Sequence, residues 1–218
     1  MKRKDQHPYY YPMFLHISGK RCVVVGGGQI ALRKVKMLLE HGAVVTVISP
    51  ELCPELKRLV GSGEIGVLQK NYHTGDLDHA LIAIAATNDS IINREVVREA
   101  REKAVLVNVV DEPEGCDFIV PSYIRRGDIT IAISTGGRSP TLARKIRARL
   151  EKDLGNEFAA LAILIDEVRD EVKRQGIKVS GDTWQEALDL DLLIEMLRKG
   201  NGEQAKAILL NNLKRRQG

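Results

Sequence analysis

Apolar positions along this chain keep two rhythms. Val23-Val24-Val25, Val44 to Ile48, Leu81 to Ala86 and Val105 to Val110 are short uncharged apolar runs, and each reads as a strand, the first extending from about Arg21 to Gly26. Ile65 to Gln69 alternates weakly and adds another. Between these runs apolar residues recur at helical steps: Ile30, Ala31, Val35, Leu38 and Leu39, then Leu52 to about Val60, then Ile92, Val96 and Ala100 up to about Lys103. His41-Gly42 ends the first helix, Ser49-Pro50-Glu51 opens the second, and Thr87-Asn88-Asp89 caps the third. Strands and helices therefore alternate from residue 21 to residue 110, which predicts a parallel, doubly wound sheet.

The rhythm then changes. Phe118 to Ile124 and Ile129 to Ser134 flank Arg125-Arg126-Gly127-Asp128 and read as a β-hairpin, an element suited to dimerisation or to an antiparallel edge of the same sheet. Ser139 and Pro140 are an N-cap and a first helical residue for a helix to about Leu154, with Leu142, Ile146 and Leu150 as its apolar stripe. From Glu157 the spacing is helical, with breaks at Gly176, Gly181 and Gly200 to Gly202. Before the first strand, Tyr9 to Leu15 reads as an arm able to pack on the outer face of the sheet. The predicted fold is α/β: a Rossmann-like doubly wound parallel sheet, a β-hairpin dimerisation segment and a small C-terminal helical domain. The expected division is 1–112, 113–148 and 149–218.

Candidate chemistry starts at the first strand–helix corner, where Gly26, Gly28 and Ala31 fit G-x-G-x-x-G/A. Gly26 permits the sharp turn, Gly28 admits a pyrophosphate to the backbone, and Ala31 keeps the helix close to the strand. The helix-opening amides then face the phosphates. Glu51, after Ser49 and Pro50, is placed either to reach a ribose or simply as a carboxylate in a first helical turn. No arginine stands there for a 2′-phosphate, which favours NAD over NADP. Ala86 and Thr87, at the carboxyl end of a buried run, give a cofactor a flat surface, a helix cap, or both. Asp111 follows Asn108-Val109-Val110 and is a candidate general base or an ordinary loop acid. Asp117 is a second candidate, whereas Cys116 reads as a small packed residue.

Composition narrows the class. An apolar share of 44% and a charged share of 28% are those of a soluble globular protein. No apolar run spans a bilayer, and the N-terminus lacks an apolar core of signal-peptide length. The three dispersed cysteines and five scattered histidines form no disulfide framework or metal site, so a cytoplasmic protein without a resident metal is expected. The net charge is only +4, yet from Ile124 to Lys152 eight basic residues face two acidic ones. That segment suggests an acidic ligand beside the Gly136-Gly137 turn, or a solvated helix face. With Tyr123 beside it the sole aromatic, it is a poor nucleic-acid surface.

Four motifs taken together, VVVGGGQIALRK (23–34), LIAIAATND (81–89), NVVDEPEGCDFIVPS (108–122) and ISTGGRSPTLARKIR (133–147), resemble the precorrin-2 dehydrogenase/ferrochelatase family, the N-terminal module of siroheme synthase. The resemblance implies NAD-dependent oxidation of precorrin-2 to sirohydrochlorin, and in some members insertion of ferrous iron as a substrate. It makes Asp111 the catalytic residue. It places Gln29 and Ile30 at the cofactor phosphates and Pro50 and Glu51 near the ribose; Ser49, Ala86, Thr87 and Asn108 are expected as further cofactor-binding residues. Thr135, Gly136, Gly137, Arg138 and Arg144 would meet a tetrapyrrole rich in carboxylates. A homodimer is implied as well. Some members carry a serine proposed to be modified where this chain has Thr135. At 218 residues the chain has no room for the methyltransferase domain that some siroheme synthases add. The alternative is an NAD-binding regulatory or sensor module without turnover.

Overall fold

A computed structural model describes residues 10–215. It comprises two compact units, one ending at Val120 and one beginning at Pro121. In the first, β1 (Arg21–Val25), β2 (Val44–Ile48), β3 (Gly66–Leu68), β4 (Ile82–Ala85) and β5 (Leu106–Val109) form a parallel sheet ordered β3-β2-β1-β4-β5. Three helices alternate with them: α1 (Gln29–Glu40), α2 (Pro54–Gly61) and α3 (Ser90–Glu102). Successive strand residues face opposite sides, and both sides are buried. Val24, Val45, Val47 and Ile84 pack with Ala31, Leu32, Val35 and Leu38 of α1 and Leu56 of α2. Val23, Val25, Ala83, Ala85, Val107 and Val109 pack with Val96 and Ala100 of α3. Each fully buried Val or Leu contributes about 1.5–3 kcal/mol relative to exposure. This two-sided burial is why the strands read as continuous apolar runs.

Register lines up the strand ends. Val25 pairs with Ile48 on one side and with Ala85 on the other, and Ala85 pairs with Val109. The residues that follow all leave from one edge of the sheet. β1 sends the chain to β2 on one side and borders β4 on the other, so the topological switch point lies between β1 and β4.

One feature of this unit has no signature in the apolar pattern. Glu99 of α3 is 1% exposed. Its carboxylate accepts from the Tyr72 hydroxyl, from Gly75 N–H at 2.9 Å and from Leu77 N–H at 3.3 Å, and it pairs with Lys103 at 3.0 Å. These bonds fasten the 72–77 loop to α3. Burial alone would raise the Glu99 pKa, but the bonds from Tyr72, Lys103, Gly75 and Leu77 outweigh it, and the value is lowered. A carboxylate with a depressed folded pKa stabilises fully above its unfolded value and loses that contribution as pH falls through the folded one. Glu99→Gln is expected to cost about 1–3 kcal/mol at neutral pH. Urea unfolding followed at pH 7 and below pH 4 should show the difference from the wild type shrinking in acid.

The second unit holds the hairpin of β6 (Ser122–Arg126) and β7 (Ile129–Ile133), followed by α4 (Pro140–Asp153), α5 (Glu157–Arg174), α6 (Gly181–Ala187), α7 (Leu190–Arg198) and α8 (Gly202–Arg215). Arg126 pairs with Ile129, leaving the two-residue loop Gly127-Asp128, in which Gly127 takes φ +57°. Leu161, Leu164, Val168 and Val172 of α5 pack against Leu193 of α7 and Ala205, Leu209 and Leu213 of α8.

Several expectations need correction. Phe118 to Pro121 is not strand: Asp117 N–H bonds to the Val107 carbonyl at 2.8 Å and the Asn108 amide to the Phe118 carbonyl at 3.0 Å, so the chain at Asp117 and Phe118 lies along the outer edge of β5. The second helix starts at Pro54 rather than Leu52, because proline at a first helical position holds Cys53 before it in extended backbone. Gly181 opens a helix instead of breaking one, since the Ser180 hydroxyl caps it through Thr183 N–H at 3.1 Å. Tyr9 lies outside the described residues, and the rest of the arm does not pack on the sheet: Tyr11, Met13 and Phe14 are exposed. On α4, Ala143 is buried while Leu142 and Ile146 of the expected stripe are exposed, because a two-stranded hairpin covers only part of the helix. Among the described residues no helix is long and apolar enough to cross a membrane.

Candidate functional site

Three segments converge at the carboxyl edge of the sheet, around the turn that leaves β1. Gly26 takes φ +127°, a conformation reserved for glycine, and a Cβ on it would overlap the Ala86 carbonyl. Its N–H bonds to the Ile48 carbonyl at 2.9 Å. Gly27 lies against the loop after β2: a Cβ there would overlap the Glu51 carbonyl, and the Gly27 carbonyl accepts from Cys53 N–H at 2.8 Å. Gly28 differs, because a Cβ on it would meet nothing within 4 Å. The turn is thus closed on two sides by neighbouring chain and open at its third glycine.

Gly28 is also the N-cap of α1. No side chain caps this helix, and its first turn carries no acid. By contrast Asp89, Ser139, Ser180 and Asp189 cap α3, α4, α6 and α7 with side-chain oxygens. Uncapped amides at the positive end of a twelve-residue helix, beside an open glycine, suit a phosphate group. Gln29 and Ile30 are exposed at that end. The Gln29 side chain bonds to Glu55 of α2, and that bond, after the one to Glu55's own backbone N–H, helps lower the Glu55 pKa.

The remaining candidates divide by whether their polar atoms are already engaged. Ser49 is buried and its hydroxyl donates to the Glu51 carbonyl at 2.7 Å, shaping the loop. Pro50 and Glu51 are exposed. Glu51 precedes α2, whose first-turn acid is Glu55, so the first-turn reading of Glu51 fails. Thr87 donates to Asn93 Oδ1 at 2.8 Å and accepts from Asp89 N–H at 3.1 Å, which braces the start of α3. Asn108 is buried on the α1 side of β5, its amide shared between the Phe118 carbonyl and Cys116 Sγ. The Asp117 carboxylate accepts from Val107 N–H at 3.0 Å, on the free edge of β5. The Cys116 thiol lies against the Val109 backbone, and burial raises its pKa. That thiol is a packed group, as its lack of a histidine partner in the sequence suggested.

Asp111 stands apart. It leaves the same edge two residues after β5, beside the strand that borders β1. It is exposed, and among the described residues its carboxylate has no hydrogen bond or ion pair in the fold. Its φ is +62°, a left-handed conformation in which Asp and Asn are the best-tolerated residues after glycine. A 3-10 turn, Pro113–Gly115, follows directly.

In the second unit, Gly136 and Gly137 take φ +61° and +81°. The Thr135 hydroxyl accepts from Ser139 N–H at 3.0 Å, so it braces the approach to α4. Arg144 bonds to Thr141 within α4 at 3.3 Å, and Arg138 is exposed. Glu151 pairs with Arg147 at 2.5 Å and with Arg126 at 3.6 Å, which neutralises part of the basic segment. Among the described residues no group of three or more His, Cys, Asp or Glu is placed to hold a metal ion.

Sequence reasoning missed Gly27 and Lys34. The three-glycine run marked the first, and the second ends the same motif.

The family model described as "Putative NAD(P)-binding" matches residues 13–122. The chain belongs to that NAD(P)-binding family. A second model, "Sirohaem biosynthesis protein central", matches residues 126–153. Siroheme synthase of Thioalkalivibrio sulfidiphilus is 39% identical over 202 residues, 92% of this chain and 41% of that protein. Siroheme synthase of Methylobacillus flagellatus is 44% identical over 164 residues, 75% of this chain and 35% of that protein. The chain thus spans about two fifths of the length of such relatives. A solved structure, "SirC, precorrin-2 dehydrogenase", superposes with a TM-score of 0.67 at 25% identity, covering 94% of this chain and 100% of that one. These matches support the N-terminal module of siroheme synthase as the group in which this NAD(P)-binding chain falls.

Proposed function

We propose that the protein is an NAD-dependent dehydrogenase that oxidises precorrin-2 to sirohydrochlorin. The observation that carries this reading is the unengaged Asp111 carboxylate at the same sheet edge as the open glycine turn. NAD bound at that turn supplies the hydride acceptor. The backbone of Gly26 to Gly28 and the first amides of α1 hold its phosphates, with Gln29 and Ile30 beside them. Glu51, on the loop that closes over Gly27, meets the ribose, and its negative charge disfavours a 2′-phosphate. Ala86 keeps the floor of the site flat, and Thr87 and Asn108 act by bracing the loops around it.

In the reaction the substrate loses one hydride and one proton. Asp111 accepts the proton on a carboxylate oxygen, and its exposure leaves a route for passing it to water. Thr135, Gly136, Gly137, Arg138 and Arg144 form the substrate-binding segment, where arginines suit carboxylate side chains. A second copy of the chain would cover the exposed Leu142 and Ile146 of α4, consistent with a homodimer built around segment 113–148. In this reading ferrous iron, where it is inserted, is the substrate of a second activity. The three free cysteines fit a reducing, cytoplasmic setting. Calorimetric titration tests the cofactor half of the reading. NAD should bind at least about tenfold more tightly than NADP, as expected where a carboxylate faces the 2′ position. Equal affinities would remove Glu51 from the ribose.

A further inference from the structure

Lys34 is the last residue of the glycine motif, and the cofactor site makes no use of it. It projects from the second turn of α1, half-buried, and its Nζ lies 3.5 Å from Asn108 Oδ1. The other end of that carboxamide bonds to the Phe118 carbonyl at 3.0 Å. The amide is thus held with its oxygen towards the ammonium and its nitrogen towards the loop that edges β5. Asn108 begins the four residues that end in Asp111. Among the described residues Lys34 has no carboxylate within ion-pair distance. The charged and titratable groups around it are Arg33 on its own helix, Asp111, and Cys116, with Glu112 and Asp117 near that thiol.

We infer that Lys34 is a positioning residue of the proposed dehydrogenase site: it orients Asn108 at the base of the Asp111 segment and sets a positive charge near the Asp111 carboxylate. Burial and Arg33 lower the Lys34 pKa, while Cys116 and Asp111 raise it. The ammonium holds the Asn108 carboxamide from one side while the Phe118 carbonyl holds it from the other. A lysine serving only to pack its stem would need no such neighbours.

The inference rests on the dehydrogenase reading, so the test has one arm that needs no turnover. Protein labelled with 13C at lysine Cε is titrated by NMR, with the Lys34 signal assigned from Lys34→Arg. In Asp111→Asn the Lys34 midpoint should fall by about 0.5 pH unit, as expected for losing a nearby charge that is partly screened by solvent. In the second arm, Lys34→Met keeps the length of the stem. It should lower kcat about tenfold and leave KM for NAD within twofold. Lys34→Arg should recover most of kcat. An unmoved Lys34 midpoint, or Lys34→Met with kcat unchanged, would overturn the inference. A wild-type protein that binds NAD but never oxidises precorrin-2 would overturn the dehydrogenase reading instead, while the NMR arm still decides whether Lys34 and Asp111 are coupled.

Discussion

Asp111→Asn is expected to reduce kcat for precorrin-2 oxidation by about 10²–10⁴-fold, the range for removing a general base. Asparagine is the informative substitution here. It keeps the size of the side chain and tolerates the left-handed backbone at φ +62°, whereas alanine would add strain of its own. Because the carboxylate makes no bond within the fold, thermal stability should stay within about 0.5 kcal/mol of the wild type. NAD affinity should be nearly unchanged, since the glycine turn lies two strands away, beyond β4. Stopped-flow kinetics with calorimetric titration of NAD checks both halves. Full activity in Asp111→Asn would show that another group takes the proton.

The second large effect separates two adjacent glycines. Gly27→Ala would drive a methyl into the Glu51 carbonyl, a backbone group that cannot swing away. Overpacking of this kind costs about 1–3 kcal/mol. It should also displace the loop 49–53 and with it the cofactor. Gly28→Ala meets no atom of the fold and its φ of −87° suits any residue. Its stability should change by less than about 1 kcal/mol. The methyl would stand where a pyrophosphate approaches, so NAD binding should weaken at least about tenfold. Thermal melts and NAD titrations of the two variants distinguish the roles. If Gly28→Ala binds NAD like the wild type, the phosphates do not approach at Gly28.

These variants also mark how far the sequence could be read. The strands were legible because burial on both faces removes charge from them: Val44–Ile48 matches its predicted bounds, and β4 and β5 lie within theirs. The glycine corner was legible as a turn. The distinct role of Gly27 was not, because it depends on the Glu51 carbonyl, brought there by the pairing of β1 with β2. Helix starts slipped where a cap outweighed a breaker, as at Ser180, and where a proline set the first helical position, as at Pro54. Glu99 was hidden for a related reason: its partners are backbone amides of a loop more than twenty residues away, and no spacing rule reports them.

Within the candidate site, residue type alone did not separate groups facing outward from groups that hold the fold. Ser49, Thr87, Asn108 and Thr135 have polar side-chain atoms engaged by neighbouring chain, while the Asp111 carboxylate does not, and a Cβ on Gly28 would meet nothing within 4 Å. Only the contact of Lys34 Nζ with Asn108 Oδ1, between residues 74 apart in the chain, brings that side chain to the base of the Asp111 segment.

The central claim is turnover at the glycine edge of the sheet, and one measurement tests it most directly. Purified protein is mixed anaerobically with precorrin-2 and NAD, and the absorbances of NADH and sirohydrochlorin are followed together. The account predicts that the two products rise in step, with equal amounts formed, and that Asp111→Asn suppresses both. NAD bound tightly by the protein while neither product forms would contradict it and point to a nucleotide-sensing module.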